Sequence, residues 1–389
     1  MILNAVRKRK PGEETTCFGS PSIETAPDGA LLAAHDFYFT SDVKSPPDAE
    51  TPEPGTMIYR SEDGGVSWRQ AAHVGAYWAA FFVIERAVYL IGCDRPFGDI
   101  VIFRSTDSGR TWSKAVDEHS GILFRGGEGK TAANFHMSPG TVLVHGSRVY
   151  KSIDDVADPD RRRGWRTMVI SADMRSDLLD ARSWIMSSAV LFDPDAKTFP
   201  KYWFPATHKD IPSCNEWLEG NMAAAPDGTI CALLCMRVCP NPDHAPLFTL
   251  SADSRTLFFD PEHGYIRLPG GHHKFCIRRD GVSGLYLAMG NNNTMPEAYS
   301  QRNTLTLSVS PDLKNWMIVK TLIIDDSPIS RERSLHEVGF QYPDFRIAGD
   351  DLVSLVRTAY DGSAYFHDAN QITFHRLADF RRHLHIPGS

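Results

Sequence analysis

Short apolar runs alternate with turn-forming residues along the whole chain, at lengths typical of β-strands rather than helices. Six of these turns are flanked on both sides by apolar segments and therefore predict β-hairpins: Pro27-Asp28-Gly29, Glu85-Arg86, His145-Gly146, Pro226-Asp227-Gly228, Asp280-Gly281 and Gly349-Asp350. Their spacing indicates one supersecondary unit that is repeated around the molecule.

A second repeated pattern, the Ser-x-Asp segment, lies between these hairpins. Ser61 to Trp68 and Ser105 to Trp112 are close copies that share the serine, the aspartate, a glycine and the final tryptophan. Weaker copies begin at Ser310, Ser251 and Ser171. We expect the aspartate to accept backbone N–H groups in a tight turn, the glycine to adopt a positive φ and the tryptophan to pack beneath. The segment therefore predicts a structural turn, not a catalytic group.

Each period thus contains an inner hairpin and then an outer hairpin, which together form a four-stranded antiparallel blade. Six periods predict an all-β fold, a six-bladed β-propeller, with residues 1–389 in a single domain. The segment Ile2 to Val6 and the alternating strand Gln371 to Leu377 are expected to close the ring. Seven blades are the alternative if the long third period, residues 146–228, contains an additional sheet.

Composition adds few constraints. The chain is 42% hydrophobic and 23% charged, as expected for a soluble globular protein, and its 29 glycines and 25 prolines suit many short strands. A net charge of −7 disfavours nucleic acid as a partner. There is no apolar run long enough for a transmembrane segment and no signal peptide, which predicts a cytoplasmic protein, or a secreted one if a leader is missing.

The seven cysteines are an odd set, and several of them lie in apolar strand-like runs, which predicts buried thiols. Cys231, Cys235 and Cys239 are spaced four residues apart. On a strand that spacing separates neighbours by about 13 Å, too far for one zinc ion. We therefore predict neither a metal nor a cofactor.

The Ser-x-Asp-x-Gly-x-Thr-Trp pattern on a six-period chain resembles the Asp-box, or BNR-repeat, propellers of the sialidase (neuraminidase) superfamily, and the resemblance covers nearly the whole chain. Because such boxes occur in propellers of many functions, they imply the fold and not the activity. In sialidases three arginines bind the substrate carboxylate, a tyrosine paired with a glutamate is the nucleophile, and an aspartate is the acid/base.

The position of the first of these arginines is changed. The family carries it in a Phe/Tyr-Arg-Ile-Pro motif ahead of the first inner hairpin, and the matching segment is Phe18-Gly19-Ser20-Pro21. Gly19 stands where the arginine would be. The resemblance is therefore to a divergent member with an altered carboxylate site.

The remaining pattern is implied residue by residue. Glu219, eight residues before Asp227, resembles the family glutamate, and Tyr342, just before the last inner hairpin, resembles the tyrosine. Arg237 and Arg302 resemble the second and third arginines. Asp36, at a predicted strand end, is the expected acid/base among several acids of that region.

Other polar residues are expected to face the same mouth of the channel, and Arg357 or Lys274 could replace the missing arginine. The catalytic candidate among them is His136. The substrate-binding candidates are Lys274, Arg357, Tyr360, His367, Asp368 and Asn221, which lies beside Glu219.

Three functions remain open. The first is an exo-acting, sialidase-type glycoside hydrolase that removes a terminal acidic sugar from a glycan. The second is a polysaccharide lyase or rhamnosidase-like enzyme acting on uronate-containing glycans, with His136 and either Tyr342 or Tyr360 transferring protons. The third is a non-catalytic propeller that binds glycans or proteins, which the loss of the arginine favours.

Overall fold

A computed structural model describes residues 4–11, 13, 15–39, 55–127, 134–156, 165–192, 216–237, 243–293 and 300–384. Within these ranges nearly all regular structure is β, in six antiparallel sheets that form a six-bladed β-propeller. The predicted fold class is confirmed. No helix among the described residues is long and apolar enough to cross a membrane.

The strands follow one another through the blades in chain order. The first strand, β1 (Asn4–Lys8), belongs to the sixth blade. Blade one contains β2 (Thr16–Thr25), β3 (Leu31–Phe39), β4 (Thr56–Ser61) and β5 (Arg69–Val74). Blade two contains β6 (Tyr77–Ile84), β7 (Ala87–Cys93), β8 (Ile100–Ser105) and β9 (Ile122–Phe124).

Blades three and four carry additional short strands. Blade three contains β10 (Phe135–His136), β11 (Leu143–His145), β12 (Arg148–Val156), β13 (Trp165–Asp173), a 3-10 turn (Ala181–Ser183), β14 (Trp184–Met186) and β15 (Val190–Leu191). Blade four contains β16 (Glu216–Ala224), β17 (Ile230–Arg237), β18 (His244–Leu250), β19 (Leu257–Phe259) and β20 (Tyr265–Arg267). Strands β11 and β15 pair with β12 and β13 and so extend blade three. The described strands of the long third period therefore belong to blade three, except for β16, which begins blade four, and they form no seventh blade.

The last two blades complete the ring. Blade five contains β21 (Cys276–Arg279), β22 (Tyr286–Asn291), β23 (Thr304–Ser310) and β24 (Met317–Ile324). The helix α1 (Arg331–Glu337) leads to β25 (Gly339–Ala348), β26 (Asp351–Ala359) and β27 (Gln371–Leu377) of blade six, and a 3-10 turn (Phe380–His383) follows. Because β1 pairs antiparallel with β27, blade six is built from both ends of the chain, as the sequence predicts.

The two full Ser-x-Asp segments form the predicted turn. In the first, the Ser61 hydroxyl donates to Asp63 at 2.7 Å and accepts the backbone N–H of Gly65 at 2.7 Å. The Trp68 indole N–H donates to the Gly65 carbonyl at 3.2 Å. The segment that begins at Ser105 repeats all three bonds at nearly the same lengths. These bonds fix the outer corners of blades one and two.

Polar side chains of the inner strands join neighbouring blades around the axis. The Asp344 carboxylate of blade six accepts the backbone N–H of Ile23 in blade one at 2.8 Å and the Arg278 guanidinium of blade five at 2.9 Å. The Asn221 carbonyl oxygen of blade four accepts the backbone N–H of Thr141 at 3.1 Å. Buried bonds between blades hold the inner strands in a fixed mutual arrangement.

Four inner strands share a β-bulge. The pairing register shifts at the same place in β2, β6, β16 and β25, between Phe18 and Pro21, Tyr77 and Ala80, Leu218 and Asn221, and Gln341 and Asp344. The first bulged residues are Gly19, Trp78, Glu219 and Tyr342. The last three have left-handed φ values of 54°, 60° and 50°. Bulges redirect side chains, and strained backbone of this kind concentrates at functional sites.

Candidate active site

The four bulges meet at one cavity of about 430 Å³ at the mouth of the ring. Its polar lining includes Asp36, His136, Glu219, Tyr342, Arg357 and His367. Its aromatic lining includes Phe37, Tyr38, Tyr77, Trp78, Phe97 and Trp165. All six polar residues are among those singled out from the sequence, so the structure brings half of the predicted site residues together in one cavity.

Asp36 is a buried carboxylic acid on β3, with 4% of its surface exposed. Its Oδ2 accepts the backbone N–H of Trp78, the bulged residue of the next blade, at 3.1 Å. Its Oδ1 is buried and has no hydrogen-bond partner among the described residues. Burial raises the pKa of Asp36 above its usual range, while the Trp78 N–H and the charge of Arg357 act in the opposite direction. Asp36 therefore keeps its proton to a higher pH than an exposed aspartic acid.

Gly19 lies against this carboxyl group. A Cβ atom added to Gly19 would stand 1.8 Å from the Asp36 Oδ1 and 2.6 Å from its Cγ. No side chain fits at position 19 while Asp36 keeps this position. The Asp36 carboxyl group thus fills the space in which the Cβ of a side chain at position 19 would lie.

Glu219 is held from its backbone and from its carboxylate. Its N–H donates to the Asp154 Oδ2 at 2.8 Å, and the Cys235 thiol donates to its Oε2 at 3.4 Å. Asp154 is fully buried, and its Oδ2 also lies 3.5 Å from the His136 Nδ1. Burial and the neighbouring Glu219 charge raise the pKa of Asp154, which the contact with His136 opposes. One buried carboxyl group therefore contacts two residues of the cavity.

Tyr342 lies between two guanidinium groups. The guanidinium carbons of Arg357 and Arg302 are 4.9 Å and 5.7 Å from the centre of its ring. Arg302 also donates to the Gln341 side chain and packs over the Phe366 ring at 5.2 Å, and it is not among the residues lining the cavity. Two positive charges beside a phenol stabilise negative charge that develops on it.

Arg357 is buried and partnered on the cavity wall. Its Nη2 donates to the Tyr38 hydroxyl and to the His367 carbonyl, the latter at 2.6 Å. Burial by itself lowers the pKa of Arg357, but Tyr38, Tyr342 and Asp36 outweigh burial and raise it. Arg357 therefore stays charged.

One wall of the cavity is aromatic. The Trp78 ring centre lies 4.5 Å from that of His136 and 5.4 Å from that of Phe97, and the Trp165 ring lies 5.1 Å from His136. Phe97, like Trp78, has a left-handed backbone, with φ of 58°. The His136 ring is therefore enclosed by aromatic rings while its Nδ1 faces Asp154.

Four other predicted substrate-binding residues lie elsewhere. Asn221 bonds within the axial network, and its Nδ2 donates to the Phe275 carbonyl at 2.9 Å. The Lys274 ammonium donates to the same carbonyl at 2.9 Å. The Tyr360 hydroxyl donates to Asp326 at 3.1 Å, and Asp368 lies beside His367 without lining the cavity. None of the four lines the cavity, and their predicted contacts with substrate stay a prediction.

Arg237 is the last residue of β17, where its backbone pairs with Glu216. Its side chain lies outside the described residues, so its predicted role as the second arginine stays a prediction. Among the described residues no group of three His, Cys, Asp or Glu side chains is arranged to hold a metal ion.

The sequence analysis missed Asp154, Tyr38 and the aromatic wall. Asp154 and Asp155 form an acidic pair inside a strand, directly after Ile153, and a buried acid in such a place needs a partner. The acidic pair could therefore have identified Asp154 from the sequence. Trp78 was harder to identify, because other tryptophans of the chain pack in the outer turns.

No family model and no curated protein matches the chain. Solved structures do. An α-L-arabinanase of Penicillium chrysogenum complexed with arabinobiose is 16% identical, with a TM-score of 0.55 over 97% of this chain and 98% of that one. A Hadza microbial sialidase is 15% identical, with a TM-score of 0.60 over 96% of this chain and 68% of that one. A Trypanosoma rangeli sialidase is 13% identical, with a TM-score of 0.59 over 92% and 55%. At these identities the similarity shows the shared propeller fold.

Proposed function

We propose that the protein is an exo-acting glycoside hydrolase that removes a terminal sugar through a covalent intermediate on Tyr342. The observation that carries the proposal is the convergence of Asp36, Glu219 and Tyr342, from three different blades, on the lining of one cavity. A two-step hydrolysis through tyrosine requires the phenol as nucleophile, a carboxylate that takes its proton and a carboxylic acid that protonates the leaving group.

In the first step the phenolic oxygen of Tyr342 attacks the anomeric carbon, and the Glu219 carboxylate takes the phenolic proton. Asp36, in its protonated form, gives its proton to the glycosidic oxygen as the bond to the leaving group breaks. In the second step a water molecule attacks the anomeric carbon and the Asp36 carboxylate takes a proton from it. The phenolate departs and recovers its proton from Glu219, so every group returns to its starting state.

The electrostatics of the cavity support these roles. Burial keeps Asp36 protonated above the usual range of an aspartic acid, as a general acid requires. The guanidinium groups of Arg357 and Arg302 beside the Tyr342 ring stabilise the charge that develops on its oxygen when Glu219 takes the proton.

The structural neighbours support the same reaction class. One is an arabinanase seen with arabinobiose, and two are sialidases. All three act on glycosidic linkages, and their names differ in the sugar. The neighbours therefore favour a glycosidase but do not identify its sugar, which has to be inferred from the residues of the cavity.

The polysaccharide lyase remains a second candidate, because His136 and Tyr342 line the same cavity and the His136 Nδ1 lies 3.5 Å from the Asp154 carboxylate. A lyase removes a proton from the sugar carbon next to a carboxylate and leaves a double bond. Its product is unsaturated, and ultraviolet absorbance detects that product directly.

The test is a panel of chromogenic glycosides of neutral and acidic sugars, together with uronate-containing oligosaccharides. Released phenol reports hydrolysis, and new ultraviolet absorbance reports elimination. We expect phenol release that Tyr342→Phe and Glu219→Gln each lower by about a thousandfold or more. Tyr360→Phe, which removes a hydroxyl outside the cavity, is the matched control and should retain the activity.

Unaltered turnover in Tyr342→Phe would overturn the proposed nucleophile. Absence of phenol release across the panel would overturn the hydrolase. Unsaturated product that disappears in His136→Ala would establish the lyase instead.

A further inference from the structure

We infer that the cavity selects an uncharged sugar and binds it against the aromatic wall formed by Trp78, Phe97 and Trp165. This inference rests on the proposed function for the reaction, but it concerns which sugar enters. It departs from the acidic sugar that the resemblance to sialidases implies.

The first reason is the exchange at position 19. In place of a guanidinium, this part of the cavity holds the Asp36 carboxyl group, 1.8 Å from where a Cβ of residue 19 would be. Asp36 becomes negatively charged once it has given its proton to the leaving group, and a sugar carboxylate here would then meet a second charge in a buried setting, which is unfavourable. A sugar hydroxyl is uncharged and meets no such repulsion.

The second reason is the position of the two guanidinium groups, those of Arg357 and Arg302. Arg357 lines the cavity, but its Nη2 is bonded to the Tyr38 hydroxyl and the His367 carbonyl. Arg357 and Arg302 both pack on the Tyr342 ring, and Arg302 lies outside the cavity lining. Arg357 and Arg302 therefore lie beside the nucleophile, where they stabilise the phenolate, and the Nη2 of Arg357 is already bonded within the cavity wall.

The third reason is the wall itself. Trp78 and Phe97 both hold a left-handed backbone, an unfavourable conformation for a bulky side chain, and their rings meet at 5.4 Å at the cavity. Such strain is retained where the surrounding structure presents a side chain for use. Flat aromatic faces pack against the C–H face of a sugar ring and leave its hydroxyls for the polar residues opposite.

Binding of matched sugar pairs tests the selectivity. The inactive variant Tyr342→Phe is titrated with glucose against glucuronate, galactose against galacturonate, arabinose, and N-acetylneuraminate, and calorimetry gives each Kd. We expect at least one neutral sugar to bind about tenfold or more tightly than its carboxylated counterpart and than N-acetylneuraminate. Equal or tighter binding of the carboxylated sugars would overturn the inference, as would a lack of binding by any sugar.

The two proposals can fail separately. If neutral sugars bind selectively and no glycoside is cleaved, the inference stands and the hydrolase fails. If glycosides are cleaved and uronides or sialosides are preferred, the hydrolase stands and the inference fails.

The wall is tested by Trp78→Ala and Trp78→Phe. Loss of the ring should raise Kd for the preferred sugar about tenfold, and the phenylalanine variant should recover most of the affinity. Trp316→Phe, at an outer turn, is the control, and Phe97→Ala replaces Trp78→Ala if that variant does not fold. Wild-type affinity in both wall variants would overturn the assignment of the wall.

Discussion

The Asp36 carboxyl group occupies the space that a side chain at position 19 would need, and this placement buries the proposed general acid of the cavity. Gly19 has no Cβ, so the Asp36 carboxyl group can lie over it, out of water and held by the Trp78 N–H. A buried acid of this kind is useful as a proton donor, but it lowers stability once it is ionised.

Because ionised Asp36 destabilises the fold, the stability of the protein should depend on pH. The pKa of Asp36 is higher in the folded protein than in the unfolded chain, so the folded state binds more protons in the interval between the two values. The free energy of unfolding contributed by this group must therefore fall as pH rises through that interval. Asp36→Asn removes this fall. Denaturant titrations should show Asp36→Asn gaining stability relative to wild type as the pH rises above about 4, the ordinary pKa of an aspartic acid.

The same variant should lose glycosidase activity. The exposed Asp361→Asn is the control and should follow the wild-type stability profile. Parallel curves for wild type and Asp36→Asn would contradict the burial of a titrating acid at position 36.

For single residues, the sequence predicted the site where a residue resembled a family motif. It predicted Tyr342, Glu219 and Asp36 in a common site, and the structure brings them to one cavity. It missed Asp154, whose importance comes from a bond to the backbone of Glu219, 65 residues away. Local patterns carry no information on such a contact between blades.

Among the elements, the outer turns can be predicted from the sequence, whereas the inner bulges cannot. The sequence predicts the Ser-x-Asp turn because each of its hydrogen bonds joins residues that are close along the chain. One example is the bond from the Gly109 N–H to the Ser105 hydroxyl at 2.8 Å. The bulges begin with Gly19, Trp78, Glu219 and Tyr342, which have no residue type in common. A bulge is a property of strand register, and register is set by the partner strand.

The turn predicts a stability effect. Ser105→Ala removes the acceptor of the buried Gly109 N–H and the donor to Asp107, and should lower the free energy of unfolding by about 1–2 kcal/mol. Thr106→Ala, at the neighbouring exposed position, should change it little. Equal effects in urea denaturation would show that the turn bonds do not stabilise the blade.

For the whole molecule, the ring is closed by pairing of β1 with β27, in which Ala5 opposes Thr373. The side chain of Val6 is buried in the core of this blade interface with Phe18, Ile372 and Phe374. The sequence predicted this closure from the segment Ile2 to Val6 and the alternating strand Gln371 to Leu377. It could not show how the closed ring aligns four bulges, since that alignment requires all blades at once.

Closure predicts that damage to β1 weakens the entire ring. Val6→Asp places an unpaired charge in the closing blade and should lower the free energy of unfolding by about 3 kcal/mol or more. Lys8→Asp, at an exposed position of the same strand, is the control. A ring as stable with Val6→Asp as without it would mean that β1 does not contribute to closure.

The central claim is that Tyr342 carries the sugar during turnover, and trapping the intermediate tests it most directly. The protein is incubated with the activated 2-fluoro glycosyl fluoride of its preferred neutral sugar, and the labelled peptide is identified by mass spectrometry. The mechanism predicts one glycosyl adduct on Tyr342 in the wild type and none in Tyr342→Phe. An adduct on another residue, Glu219 included, or no adduct while the matching glycoside is still cleaved, would contradict it.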